Sequence, residues 1–419
     1  MSLIQKTDKF IQYQYHIDEF IIMTKDENIK LEAMQIVDMT ISCDFENDIF
    51  PLFKVIIAIE PETYLVIVRN KDTVKFKVRL QKYGINQSNG SKSLYTDYIN
   101  DVFSVFLDDT DSQFDEKVHN KTRETDKYKK GEVALNMLNE RMELYLFKES
   151  YVANIKKRIN MIPSSITLTT ALAYIVSVSK LNGLMLSPLD NKKTYSPLIL
   201  PSLNAFQLIK YLDYNYGFYK NGSLIFFGLD KPYIINYKKG CTTWSSGEWK
   251  ETVFVVLEGD NEHSKMPASI IRNGEEKYYI NTQRKDVIAT NASITNNAVG
   301  GSDAYVIDAN TDNVSTVTSG AKTRGGTNTT RIVNDTQNPY LGTTFAAQQA
   351  SSSVVISVGV GNPNLDAFTP NKDVTFIFED NVANKEYKGH YRLVSSYFKF
   401  IKDGDDFSVD VNNVYKIAQ

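Results

Sequence analysis

The stretch TVKFKVRLQKYG does most to limit what this chain can become. Val74, Phe76, Val78 and Leu80 recur at every second residue, with Lys75, Lys77 and Arg79 between them. Only an extended strand sorts such a series onto two faces, one for a core and one for water. Such a strand needs neighbours, and the flanking sequence offers them. Val66, Ile67 and Val68 precede Asn70-Lys71-Asp72 and read as the first arm of an antiparallel hairpin. Upstream, EFIIMTKDENIKLEAMQIVDMTISCDF supplies two strands about the turn Lys25-Asp26-Glu27-Asn28. Downstream, DVFSVFL (101–107) and RMELYLF (141–147) extend the same sheet. Between these two lies a charged excursion near 108–133, poor in apolar residues and read as a mobile departure from the sheet.

The texture changes near residue 160. Pro163-Ser164-Ser165 leads into a helix that places Leu168, Leu172, Ile175, Val176 and Val178 on one face, stopped by Asn182-Gly183. A second helix follows Pro201, with Ser202 as its N-cap, Leu203, Phe206, Ile209, Leu212 and Tyr216 at steps of three or four, and Gly217 as its C-terminal cap. The residues after it, FYKNGSLIFFGLDKPYIINY, predict a hairpin turning at Asn221-Gly222, a pair suited to positive φ. Beyond Trp249 strands return with ETVFVVLEG, interrupted near 285–352 by a segment of Asn, Thr, Ser, Ala and Gly that is read as a long loop with short strands. DVTFIFED and a closing hairpin about Lys402-Asp403-Gly404 finish the chain. The expected class is α+β, mainly β: a β-domain over 1–160, a helix-and-hairpin lobe over 161–245, and a second β-domain over 246–419.

Several function classes fall away. A net charge of −3 over 419 residues lacks the basic footprint of a nucleic-acid binder. Cys43 and Cys241 stand alone, without the spacing of a zinc site or a disulfide framework. The first residues carry no secretory pattern, and no window reaches the roughly 20 apolar residues of a membrane helix, so synthesis in a cytoplasm is expected. His16, His119, His263 and His390 lie in no catalytic or metal-binding motif. Gly359-Val360-Gly361 lacks the third glycine and the helix of a dinucleotide loop. Asp308, Asn310 and Asp312 begin like a calcium loop, but Asn313 takes the place of its glycine and Ser319 that of its bidentate glutamate. Asp403, Asp405 and Asp406 occupy a turn, where aspartate is favoured for backbone reasons. Trp244, Trp249 and the tyrosines of YLDYNYGFYK could stack on a sugar, yet aromatics at such spacings are ordinarily core. No catalytic, cofactor-binding or metal-binding residue is nominated, and an enzyme is not expected. The tyrosine-rich stretch is read as a rigid joint between helix and hairpin.

That joint carries a resemblance. PLILPSLNAFQLIKYLDYNYGFYKNGSLIFFGLDKPYII, residues 197–235, resembles a segment of the baseplate hub proteins of long-tailed bacteriophages. In those proteins a Leu-Pro opening leads into a helix, a Tyr-Gly-Phe-Tyr junction and a strand ending in Leu-Asp. The resemblance implies a homotrimeric ring in which each chain contributes two tail-tube-like antiparallel β-domains, so that three chains offer six similar domains to a six-fold tube. It also implies related plans in the spike-hub proteins of type VI secretion and phage-like bacteriocins. The partners implied are further copies of the chain, the tail tube protein, a central spike or tail-tip protein and other baseplate proteins, with DNA only in transit and no membrane anchor. The place implied is the tail baseplate of a virion, after synthesis in the host cytoplasm. The 285–352 insertion is long for a tight ring and is expected to project outward or to order against a partner. The rival readings are another tail adaptor or distal tail protein, and a carbohydrate-binding or hydrolytic tail protein.

Overall fold

The structure is a computed structural model. It describes residues 9–25, 27–86, 89–107, 140–181, 183–237, 251–257, 269–272, 275–281, 287–290, 302–308, 314–319, 329–334, 338–340, 344, 355–378 and 389–417. Seven strands come first: β1 (Lys9–Met23), β2 (Asn28–Lys30), β3 (Ile36–Asp44), β4 (Leu52–Ile59), β5 (Lys75–Asn86), β6 (Thr96–Leu107) and β7 (Glu140–Lys148). Helix α1 (Pro61–Arg69) joins β4 to β5. The lobe holds α2 (Glu149–Lys156), α3 (Leu168–Ser179), α4 (Ala205–Tyr216), β8 (Ser223–Phe227) and β9 (Pro232–Asn236). The last block holds β10 (Glu251–Leu257), β11 (Ser269–Arg272), β12 (Glu275–Asn281), β13 (Val287–Thr290), β14 (Val355–Gly361), β15 (Asp373–Phe378), β16 (Gly389–Asp403) and β17 (Asp406–Ile417).

Eight strands close into an antiparallel barrel in the order β16–β3–β4–β7–β6–β5–β1–β17, and β17 returns to β16. The period-two strands place Phe76, Val78 and Leu80 of β5 and Phe53, Val55 and Ile57 of β4 fully inside. Aromatic rings fill the interior edge to face: Phe20 on Phe76 at 5.3 Å, Phe53 on Phe103 at 5.5 Å, and Tyr15 on Phe400 at 5.8 Å. Closure removes the free edges that an open sheet would expose. The same long strands serve a second circuit. The first residues of β1 pair with β11, and β11–β12–β10–β15 leads back to β16, with β10 parallel to both β12 and β15. The β16–β17 hairpin turns at Gly404, whose φ is +67°, within the predicted turn, and runs through both circuits.

Four local expectations are corrected. Residues 61–69 form a helix, not the first arm of a hairpin. Pro61 presets φ in the first turn, Glu62 faces the helix N-terminus, and Ile67 packs into the barrel core, which outweighs the β-branched run of Val66, Ile67 and Val68. The N-cap of α4 is Asn204, not Ser202: its side chain accepts from the Gln207 N–H at 2.9 Å while Gln207 accepts in return from the Asn204 N–H, and Ser202 lies in a short strand paired with 159–161. The lobe hairpin turns at 228–231, with the Gly228 N–H bonded to the Lys231 carbonyl at 3.0 Å, whereas Asn221-Gly222 makes the earlier turn from helix to strand. Pro232 starts β9, a strand position that tolerates a missing N–H. The stop of α3 also comes earlier than read, at Lys180 with φ +54°. The β1–β2 turn, β6, β7, β15 and the closing hairpin stand where the alternation predicts.

Candidate functional site

The junction between barrel and lobe is built from YLDYNYGFYKNGSLIFFGLD and what packs on it. Strand β8 is buried on both faces. Leu224 and Phe226 join the barrel-side core with Tyr233 and Ile235 of β9, while Ile225, Phe227 and Ile234 join the lobe core. Period two therefore divides one hairpin between two cores. Phe226 meets Phe45 at 4.6 Å, and Phe227 meets Phe206 of α4 at 4.6 Å. Polar bonds fix the docking: the Phe227 N–H donates to the Ile49 carbonyl at 2.8 Å, Tyr151 Oη to the Gly228 carbonyl at 2.8 Å and Lys148 Nζ to the Leu229 carbonyl at 2.9 Å. Burial pushes the Tyr151 phenol well above its ordinary range, so it stays a donor.

Gly217 ends α4 with φ +69°, and a Cβ there would stand 2.2 Å from Asn338 Oδ1. Asn338 is buried and donates to the Tyr214 carbonyl at 2.7 Å, which satisfies one of the orphan carbonyls at the helix end. Asn338, within the polar insertion, thus packs onto the lobe at the end of α4. Tyr216 stacks edge to face on Tyr195 at 4.8 Å, and Tyr219 Oη donates to the Ser187 carbonyl at 2.7 Å. Only Tyr214 of this tyrosine group is largely exposed, at 75%. The rings lock the joint and form no open platform.

Sequence reasoning missed Arg392. It is 1% exposed, and its guanidinium donates to the Tyr237 carbonyl at 3.1 Å, the Lys372 carbonyl at 2.6 Å and Asp373 Oδ1 at 2.9 Å. It ties the end of the lobe hairpin to the second circuit. Burial lowers its pKa and Asp373 opposes the shift. The available signal was an arginine between Tyr391 and Leu393-Val394, where the alternation of β16 fails because all four side chains are buried.

The histidines, glycines, cysteines and tryptophans weighed and set aside in the sequence do not come together. His16 Nδ1 bonds Asp406 Oδ1 at 2.8 Å across the β1–β17 seam, and Tyr83 Oη donates to the other oxygen of Asp406 at 2.6 Å. His390 sits 3.0 Å from Thr375 Oγ1. Gly359 and Gly361 lie in β14, and Cys43 is buried in the barrel. His119, His263, Cys241, Trp244, Trp249, Asn310 and Asp312 lie outside the described residues. Among the described residues no cluster of three His, Cys, Asp or Glu side chains could hold a metal ion, and no helix is long and apolar enough to cross a membrane.

One feature left no sequence motif. Between the barrel wall and α2 lies an apolar groove of about 350 Å³, lined by Phe50, Phe106, Phe147, Tyr151, Ile155 and Leu229 among others.

A family model described as Bacteriophage PBS1 gene 109 protein matches residues 3–416. The chain belongs to that family. No curated relative matches the sequence. Among solved structures, this member of the PBS1 gene 109 family is similar to the tail protein from Neisseria meningitidis MC58, with a TM-score of 0.48, 10% identity and 96% of each chain covered. It is similar also to the 43 kDa tail protein of prophage MuSo2 from Shewanella oneidensis, with a TM-score of 0.46, 10% identity, and 96% of this chain and 99% of that one covered. The lidded PdpA-VgrG complex of Francisella gives 0.45 at 8% identity, with 99% of this chain lying on 53% of the other. Each is a partial likeness of backbone course.

Proposed function

We propose that the chain is a structural baseplate hub of a phage tail: a ring subunit, three to a ring, that joins the tail tube to a central spike and leaves a passage for DNA. Membership of a bacteriophage family over 3–416 is the observation that carries the reading. The closed barrel and the hub-like joint at 197–235 support it. The barrel interior is filled by aromatic and aliphatic side chains, so the passage runs between copies and not through one barrel. On the β1–β5 wall the charges are matched within the chain: Lys77 pairs with Glu19, and Arg79 with Asp18 and Asp97. Such a wall offers little free positive charge to hold phosphate. The reading is mechanical and assigns no catalytic residue; each β-block acts as a tube-like wall and the lobe as a rigid bracket. Incorporating a tagged copy into virions of the encoding phage and labelling the tag with gold tests it. Gold at the far end of the tail is expected; gold at the head or neck, or none on intact particles, would overturn the reading.

A further inference from the structure

Charge is divided unevenly between barrel and lobe. Several barrel cations are matched within the chain: Lys54 pairs with Glu143, Lys75 with Glu149, Lys148 with Asp101 and Lys416 with Glu46. The lobe, over 149–237, holds nine lysines and arginines against four acids, in a chain whose net charge is −3. Each of the four acids is engaged. Glu149 pairs with Lys75, Asp190 accepts from the Lys220 N–H at 3.0 Å, Asp213 accepts from the Phe218 N–H at 3.1 Å, and Asp230 accepts from the Tyr233 hydroxyl.

Five of the lobe cations form one ridge. Lys156 ends α2, and Lys157 and Arg158 follow it. Lys157 Nζ donates to the Val178 carbonyl, which places it beside Lys180 at the end of α3. Arg158 donates to Gln207 Oε1 at 3.2 Å, and Lys210 stands about one turn further along α4. A cation at a helix C-terminus is favourable, which accounts for Lys157. It does not account for Arg158, which sits at the first turn of α4, where the helix dipole disfavours a cation. Among the described residues no carboxylate pairs with any of the five. Like charges held together repel, so an anionic partner is what such a ridge is built to meet.

The ridge is also partly apolar. Arg158, Asn160 and Ile162 stand exposed along the short strand Ile159–Met161, while Ile159 is buried. Ile162 is 71% exposed, Ile155 beside Lys156 is 42% exposed, and Tyr214 lies one turn beyond Lys210 on α4. A phosphate backbone rewards the cations alone, whereas a protein interface sets aliphatic and aromatic anchors among charged residues. Arginine and tyrosine are the types that most often anchor such contacts.

We infer that the ridge of Lys156, Lys157, Arg158, Lys180 and Lys210 is the docking surface for an acidic protein partner, one that presents aspartate or glutamate with apolar side chains between them. The inference goes beyond the hub reading and does not depend on it.

Fluorescence anisotropy of the full chain tests it, with a labelled peptide of Glu-Glu-Leu repeats as the probe and about 0.15 M salt to screen weak surface attraction. Wild type is expected to bind. Lys156→Glu/Arg158→Glu is expected to weaken binding at least about tenfold, and the charge-matched lobe control Lys192→Glu/Lys220→Glu to change it less than about twofold. Melting midpoints check that both variants keep the fold; should the ridge variant lose it, Lys210→Gln takes its place, with at least about a threefold loss expected. Mixed-sequence duplex DNA at the same salt is expected to bind more weakly than the peptide. No peptide binding by wild type, or an equal loss in ridge and control variants, would overturn the inference. Tighter binding of the duplex would overturn it in favour of nucleic acid.

Discussion

The barrel and the lobe are built on opposite principles. The barrel takes six strands from the first 148 residues and two from 389–417, so its closing pairs join His16 to Asp406 and Tyr15 to Phe407 across nearly the whole chain. The lobe core is assembled within one continuous stretch, from Tyr151 to Ile234, with Ile49 and Phe50 packed against it. Strand β8 belongs to both, with alternate residues assigned to each. The barrel and lobe cores meet in the β8–β9 hairpin, whose alternate residues belong to each, which makes the joint the place where one substitution can uncouple them.

Gly217→Val should have the largest effect. It forces a β-branched residue to φ +69° and drives Cβ into Asn338, and strain plus overpacking together should cost up to about 6 kcal/mol. Chemical denaturation is expected to show loss of the lobe; a variant that folds and assembles like wild type would break the account of the joint. Phe226→Ala and Phe227→Ala sharpen the comparison. Each should cost about 3 to 5 kcal/mol. Hydrogen exchange should place the first loss in the barrel and the second in α3 and α4. Identical exchange maps would mean that the two cores are one.

Arg392→Met comes next, at about 2 to 3 kcal/mol, because it strips a donor from the buried carbonyls of Tyr237 and Lys372. Its signature is faster exchange at 232–237, with the barrel strands β4 and β5 unchanged. Asn204→Ala removes the capping box of α4 and should cost only about 1 kcal/mol, read as a small fall in the urea midpoint at constant slope.

The same contrast explains what the sequence reveals. Alternation in β5 and β15, the 3.6-residue period of α3 and α4, and the turn at Gly404 are local patterns, and the elements they predict are present. The helix at 61–69 was hidden because Val66-Ile67-Val68 speaks for a strand over three residues while Pro61-Glu62 speaks for a helix five residues earlier. The hairpin turn was misplaced because Asn221-Gly222 is the stronger turn pair, although its job is to leave α4. Barrel closure by β17 has no local signature, since it depends on two residue pairs nearly four hundred positions apart. Of the joint, the aromatic ring positions and Gly217 were legible; Asn338 and Arg392 were not, because their partners lie in distant segments. The apolar groove is invisible for a related reason: Phe50, Phe106, Ile155 and Leu229 come from four separate segments of the chain.

The hub claim meets its most direct test in electron microscopy of the purified protein, classified without imposed symmetry. Three-fold rings, with a channel bounded by three or more barrel walls, are predicted. Isolated single chains at high concentration, or rings whose only passage runs through a barrel interior, would contradict it.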